Sequence, residues 1–210
     1  MSAQQGKQIV RRQARGLRRI EDLLDAAAQV FAAVGYDAAT TNAIAARAGV
    51  SPGSLYQFFP HKEALGRALA ARYAAALRDL YGTALAIEVA ALALPELLDR
   101  IVDPLIAFDL ANPGFQALFA GAGIAPQLAD VARELDEEIL RRVEALVAAR
   151  AAGLDAERRT LVATIAVRIF KAVLPLALAA DLPRRTAIIT ELKAALRGYL
   201  EPLFDASARG

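Results

Sequence analysis

Between Thr40 and Lys62 the chain reads TTNAIAARAGVSPGSLYQFFPHK, a run of hydroxyls, amides and isolated cations without a carboxylate. Side chains of this kind suit hydrogen bonding to phosphate oxygens and base edges rather than the making of bonds. Thr40, Thr41, Ser51, Tyr56 and Lys62 are placed to anchor phosphates, and Gly53, Ser54 and Gln57 are candidates for base edges. Small residues such as Gly53 and Ser54 let a backbone approach a duplex closely. His61 reads as a solvated or phosphate-facing residue, because the chain has no second histidine with which to build a metal or base site.

Two short helices must position these groups. Thr40 or Thr41 can cap the first, since a hydroxyl before an apolar pattern accepts a hydrogen bond from an orphan N–H. Ile44, Ala45 and Ala48 then form one narrow face, and Gly49 with Val50 is the usual left-handed stop with its apolar contact. Ser51 caps the second helix and Pro52 occupies its first position, where a missing N–H costs nothing. Leu55, with Phe58 or Phe59, faces inward, and Pro60 ends the helix. The pair over about residues 40–59 fits the physical description of a helix-turn-helix reader, though a helical hairpin in an ordinary bundle shares the pattern.

The flanking segments supply support. Ile20, Leu24, Ala27, Phe31 and Val34 make a stripe on a helix predicted from Leu17 to Val34, which Gly35 stops and Tyr36 closes. Upstream, residues 1–16 are polar and basic, and are expected to be a flexible tail or an arm that reaches phosphates or a minor groove. Downstream, a helix starts at Lys62 with Glu63 in its first turn and carries Leu65, Leu69, Tyr73, Ala76 and Leu80 on its apolar face.

From Gly35 to Leu65 the run GYDAATTNAIAARAGVSPGSLYQFFPHKEAL resembles the DNA-binding domain of the TetR/AcrR family of bacterial transcriptional regulators. The shared features are a glycine followed by an aromatic, a Thr-rich cap, Ile-Ala and Ala-Gly-Val-Ser around the turn, Leu-Tyr and Phe on the recognition helix, and a Lys-Glu pair opening the next. The likeness covers residues 18–75, and Ala39 departs from it where many relatives carry another threonine. It implies a homodimer on double-stranded operator DNA, released by a small-molecule effector held among the helices of a second domain.

Composition agrees with an all-α protein. The chain is 56% hydrophobic and 210 residues long, enough for a sizeable core, and no alternating run of strand length occurs. Without cysteine and with one histidine, disulfides, thiol chemistry and His/Cys zinc sites are excluded, and no cofactor is expected. No apolar signal core precedes Glu21, which is compatible with a cytoplasmic protein. Residues 1–72 hold ten Lys and Arg against five Asp and Glu, net +5, and the remainder holds fifteen against eighteen, net −3. The basic end is thus the end with the reader, which favours a polyanionic partner.

About nine helices are expected, in an N-terminal three-helix helix-turn-helix domain at 17–72 and a helical effector-binding and dimerisation domain at 73–205. Helices are predicted from Pro95 to Ala111, Phe115 to Phe119, Gln127 to Arg150, Asp155 to Ala180 and Arg184 to Leu203, with GAGIAP, residues 121–126, as a loop. Leu105, Phe108, Asp109, Asn112, Phe115, Leu118, Phe119, Arg168 and Phe170 are candidate effector residues, clustered about the Asn112-Pro113-Gly114 break, for a small lipophilic or aromatic molecule. The segment LVATIAVRIFKAVLPLALAA holds Arg168, Lys171 and Pro175 in its middle, which argues against a membrane span and for burial between subunits. Ile188, Leu192, Ala195 and Tyr199 are expected near that dimer contact. A helical protein-interaction scaffold is the rival reading. An enzyme would need a nucleophile with its base, a metal cluster or a phosphate-cradling loop, and Gly121-Ala122-Gly123 is too short for the last.

Overall fold

Rich in alanine and leucine and poor in β-branched clusters, the chain forms helices and no strand among the residues that the computed structural model describes, 3–119 and 128–207. In order these are α1 (Ala3–Ala38), α2 (Thr41–Arg47), α3 (Pro52–Tyr56), α4 (Lys62–Ala84), α5 (Leu94–Ala111), α6 (Pro113–Phe119), α7 (Ala129–Arg150), α8 (Ala156–Ala179) and α9 (Leu182–Ser207). A short 3-10 helix, Ile87–Ala91, lies in the connection before α5 and was not foreseen from the sequence. The expected 121–126 loop and the expected helix start at Gln127 lie outside the described residues.

Two compact units emerge, and their boundaries differ from those expected. The first comprises Met1–Tyr73 with Asn112–Ala132, and the second Ala74–Ala111 with Arg133–Gly210. The chain leaves the first unit within α4 and rejoins it at Asn112.

In the first unit α1 begins at Ala3 rather than at Leu17, so residues expected as a flexible tail continue the helix. Gly35 interrupts it with φ +79°, at the predicted place, although Val34 just before it is exposed. Leu23, Leu24, Ala27 and Phe31 of α1 close over Ile44, Ala45, Leu55, Leu65 and Leu69, all buried. Arg72 pins α4 to α1 through Glu21 at 3.0 Å and Asp25 at 2.7 Å. Burial opposes the Arg72 cation, but the hydrogen bonds it donates to Asp25 and Glu21, with their charges, outweigh it and raise its pKa. The apolar face of α4 recurs every fourth residue, at Leu65, Leu69, Tyr73, Leu77 and Tyr81, and Ala76, assigned to it from the sequence, is exposed.

Backbone meets backbone closely in this unit where α6 crosses α1. A β-carbon built on Gly114 would stand 2.8 Å from the Ala28 carbonyl oxygen, 2.9 Å from Ala28 Cα and 2.8 Å from the Tyr73 hydroxyl. Leu118 is buried beside this crossing, and Phe115 meets Tyr73 edge-on at 5.7 Å and Phe119 at 4.8 Å.

In the second unit α5, α8 and α9 pack around Val102, Leu105, Ile106, Val162, Ala163, Leu192 and Leu196. Lys193 ties α9 to α5 through Asp99 at 2.7 Å and Asp103 at 2.6 Å. Arg150, over the Phe204 ring, donates to the carbonyls of Ala90 and Leu92 at 2.7 and 2.6 Å, closing the end of the 3-10 helix. By length and composition α8 could cross a membrane, and only 28% of its most apolar stretch is buried within the chain.

Replacing Gly114 by Ala drives a methyl group into the Ala28 backbone, which cannot swing aside as a side chain would. Gly114→Ala should destabilise the protein by about 1–3 kcal/mol in urea or thermal unfolding. Wild-type stability in this variant would show that α6 does not lie against α1.

Candidate nucleic-acid interface

Each helix of the reading pair is held by a side-chain cap. Thr40, extended at φ −122°, accepts from the Ala43 N–H at 3.1 Å and is the cap of α2. Thr41 is the first helical residue, and its hydroxyl lies 2.9 Å from the Tyr56 hydroxyl of α3. A pair of hydroxyls shares one proton between them, so the second proton remains available to a phosphate oxygen. At the other end of α2 the Gly49 N–H donates to Ala46 O at 3.1 Å and the Val50 N–H to Ala45 O at 2.9 Å, with Gly49 at φ +65°. This is a Schellman closure, and it turns the chain within three residues from one helix to the cap of the next.

Ser51 caps α3, accepting from the Ser54 N–H at 3.2 Å, with its hydroxyl 3.0 Å from that of Ser54 and Pro52 at the first position. Only five residues are helical, and Leu55 and Phe59 anchor them while Phe58 is 37% exposed. Pro52, Gly53, Tyr56 and Gln57 are exposed and Ser54 half-buried, so the structure brings the predicted contact residues onto one short element. Arg47, which the sequence reading passed over, is exposed at the end of α2 and donates to Gln29 of α1. Ala39 is buried, so the departure from the threonine of many relatives removes no hydroxyl from the surface.

Lys62 and His61 both make contacts within the fold. The Lys62 ammonium donates to the carbonyls of Tyr36 and Asp37 at 3.0 and 2.8 Å and lies 4.8 Å from the centre of the Tyr36 ring. It thereby clasps the start of α4 to the end of α1 and bridges the whole reading pair. Two of the three ammonium donors are thereby used within the fold, which leaves one for a phosphate. His61 Nδ1 accepts from the Ala64 N–H at 3.2 Å and caps α4, and the Glu63 carboxylate stands 3.1 Å from the same nitrogen. One nitrogen serves only one of them at a time: unprotonated it caps, protonated it pairs.

The candidate effector residues are divided between the units. Asn112, Phe115, Leu118 and Phe119 belong to the first, whereas Leu105, Phe108, Asp109, Arg168 and Phe170 belong to the second. Leu105, Asp109 and Phe170 are buried, Phe108 is half-buried, and Arg168 is exposed on α8, where it cannot orient a molecule in the interior. Asp109 is the one buried charged side chain among the described residues. Burial, and then the Asp109 charge, push the phenol of Tyr81 far above its ordinary range. Among the expected dimer residues Ala195 is exposed and Ile188 and Tyr199 are half-buried, but Leu192 is 1% exposed. Leu192 therefore belongs to the chain's own core and is beyond a partner's reach.

If Lys62 is a clasp, Lys62→Ala should lower stability by about 1–3 kcal/mol, the range for hydrogen bonds to a charged group. The salt dependence of DNA binding should stay unchanged. A salt slope smaller by about one unit, at unchanged stability, would return Lys62 to the phosphate.

Comparison with known proteins now bears on this geometry. Residues 23–69 match the family described as bacterial regulatory proteins, tetR family, and residues 93–200 match the tetracyclin repressor-like C-terminal domain. A TetR-like transcriptional regulator from Rhodococcus sp. RHA1 is similar in structure, with a TM-score of 0.64 and 25% identity over 86% of this chain and 94% of that one. A TetR-family regulator from Streptomyces coelicolor aligns with a TM-score of 0.57 and 26% identity over 88% and 99% of the two chains. A regulator from Aquifex aeolicus VF5 shares the fold at a TM-score of 0.64 and 18% identity, over 85% of this chain and 98% of that one. No curated protein matches the chain by sequence. With both family matches covering the reading pair and most of the second unit, the chain belongs to the TetR family of bacterial transcriptional regulators, DNA-binding proteins of the helix-turn-helix type.

Proposed function

We propose that the protein acts as a homodimeric repressor that leaves its operator when a small lipophilic or aromatic molecule binds. The observation that carries the DNA half of this reading is the α2–α3 pair. Its caps hold Thr40, Thr41, Ser51, Gly53, Ser54, Tyr56 and Gln57 in place, and no carboxylate lies between Thr40 and Phe59 to repel a phosphate. Thr40, Thr41, Ser51 and Tyr56 take the phosphates in this reading, and Gly53, Ser54 and Gln57 the base edges.

The surface of α8 supports the dimer. Leu161 is 45% and Leu176 61% exposed, on a helix of whose most apolar stretch the chain buries 28%. A second copy is a better cover than lipid, because Arg168 and the Lys171–Asp136 ion pair stand midway along it. Two-fold pairing then presents two α3 helices to successive major grooves, about one helical turn or a multiple apart. The likeness of residues 93–200 to the tetracyclin repressor C-terminal domain supports an effector. Such a ligand releases DNA only by binding the non-competent arrangement more tightly. A cytoplasmic location follows from this reading.

Selection from a random duplex pool, checked by mobility shift on the DNA flanking the coding region, should yield a two-fold symmetric site. Gln57→Ala should alter base preference at one position per half-site by about 1–3 kcal/mol. Lipophilic compounds that raise the melting temperature should also release this duplex, and a protein that enriches no site would refute the proposal.

For the dimer, Leu176→Glu combined with Ala195→Glu should give a folded monomer by light scattering, without specific DNA binding. A wild-type monomer at micromolar concentration would sink the two-fold reading.

A further inference from the structure

Between Thr40 and Lys62 two large apolar side chains are exposed, Tyr56 at 48% and Phe58 at 37%. Tyr56 is turned toward α2, since its hydroxyl stands 2.9 Å from that of Thr41. Phe58 holds a different place, and the backbone sets it. Its own N–H and that of Phe59 both donate to the Leu55 carbonyl at 2.9 Å, so the turn of α3 carries on past Tyr56.

Helical register around that turn says which residues Phe58 accompanies. Leu55 and Phe59, four residues apart, are both buried and mark the inward side. Ser54 and Phe58, also four apart, share the side next to it, and Gln57 adjoins them on the outward side. Tyr56, two positions before Phe58, falls nearly opposite it. Phe58 therefore extends the surface of Ser54 and Gln57 on the flank away from the Tyr56–Thr41 contact.

The chemistry of that flank differs from the rest of the reading surface. Ser54 and Gln57 can exchange hydrogen bonds with base edges, but the C5-methyl group of thymine offers none and is met only by apolar contact. A phenylalanine has neither charge nor donor for a phosphate, so it meets a duplex through apolar surface alone. We propose that Phe58 is a specificity-determining residue, whose ring packs on the C5-methyl of a thymine in each half-site beside the bases that Ser54 and Gln57 read. Deoxyribose is the other apolar surface within a groove. It carries no sequence information, so a contact there would leave base preference untouched.

This inference rests on the proposed operator binding and deepens it, and its test separates the two. The probe is the duplex that the full chain selects, with each thymidine replaced in turn by deoxyuridine, which removes the methyl group and nothing else. Wild type should lose about fourfold in affinity at a thymine in each half-site, the worth of one buried methyl-sized group. Phe58→Ala, checked for folding by thermal unfolding, should bind the two forms of that duplex alike, whereas Phe58→Leu should keep the difference. A second readout needs no variant: 5-iododeoxyuridine at the same position puts iodine where the methyl was, and irradiation should crosslink it to Phe58. Three results would each overturn the contact while leaving the operator reading intact. These are a wild type indifferent to every deoxyuridine, a difference that survives in folded Phe58→Ala, and a crosslink mapped to Tyr56 or another residue instead. A wild type that selects no duplex would overturn both.

Discussion

The reading pair depends on one backbone conformation, the left-handed turn at Gly49. With φ at +65° the glycine lets its own N–H and that of Val50 satisfy the last carbonyls of α2, and Ser51 follows at once in the extended conformation needed to cap α3. A side chain at Gly49 would strain this step through its own β-carbon, although nothing crowds the position from outside. Everything beyond the turn inherits its direction. At five residues α3 is far too short to hold itself by helical propensity, so its place is set by the turn before it, the Ser51 cap and the buried Leu55 and Phe59.

A second constraint closes the unit around that turn. Lys62 ties the start of α4 to the end of α1, and Arg72 ties α4 to α1 again almost three turns later. Between these two fastenings α4 has little freedom relative to α1. The return of the chain at α6 adds a third, in which Gly114 lets backbone meet backbone. The first unit is therefore braced on both sides of α1, by α2 where Gln29 meets Arg47 and by α4 and α6 elsewhere. The polar fastenings use long side chains on backbone carbonyls or on paired carboxylates, which satisfy the charge and fix a register.

What could be read from the sequence was local. Caps, the glycine stops at Gly35 and Gly49, the proline at the start of α3 and the helical class all follow from rules that act within a turn or two of helix. What could not be read was non-local. Whether the cation of Lys62 meets a phosphate or the carbonyls of Tyr36 and Asp37 depends on residues twenty-five and twenty-six positions away. Leu192 shows the same limit: α9 has apolar residues on more than one side, and periodicity does not say which side faces its own domain. Nor does a break at Asn112-Pro113-Gly114 reveal that α6 belongs with α1, since the signal is the absence of a β-carbon opposite Ala28. The misplacement of Ala76 has a simpler cause. A buried face recurring every fourth residue drifts around a 3.6-residue helix, so an interval of three taken too early lands on the exposed side.

The distribution of charge has a consequence for how this reader divides its work. Between Thr40 and Phe59 there is one cation, Arg47, and no anion, so the polar groups that α2 and α3 offer are mainly neutral hydroxyls, amides and backbone. Neutral hydrogen bonds are short-ranged and demand correct geometry, so they discriminate between sites but draw the protein weakly toward DNA in general. Long-range attraction and its salt dependence scale with the number of phosphates neutralised, and here the cations available for that lie largely before Glu21. In this chain, then, the stretch rich in neutral hydrogen-bonding groups and the stretch richest in cations are distinct. They are joined through α1, since the helix that carries Arg15, Arg18 and Arg19 also carries Gln29, which holds Arg47 of α2.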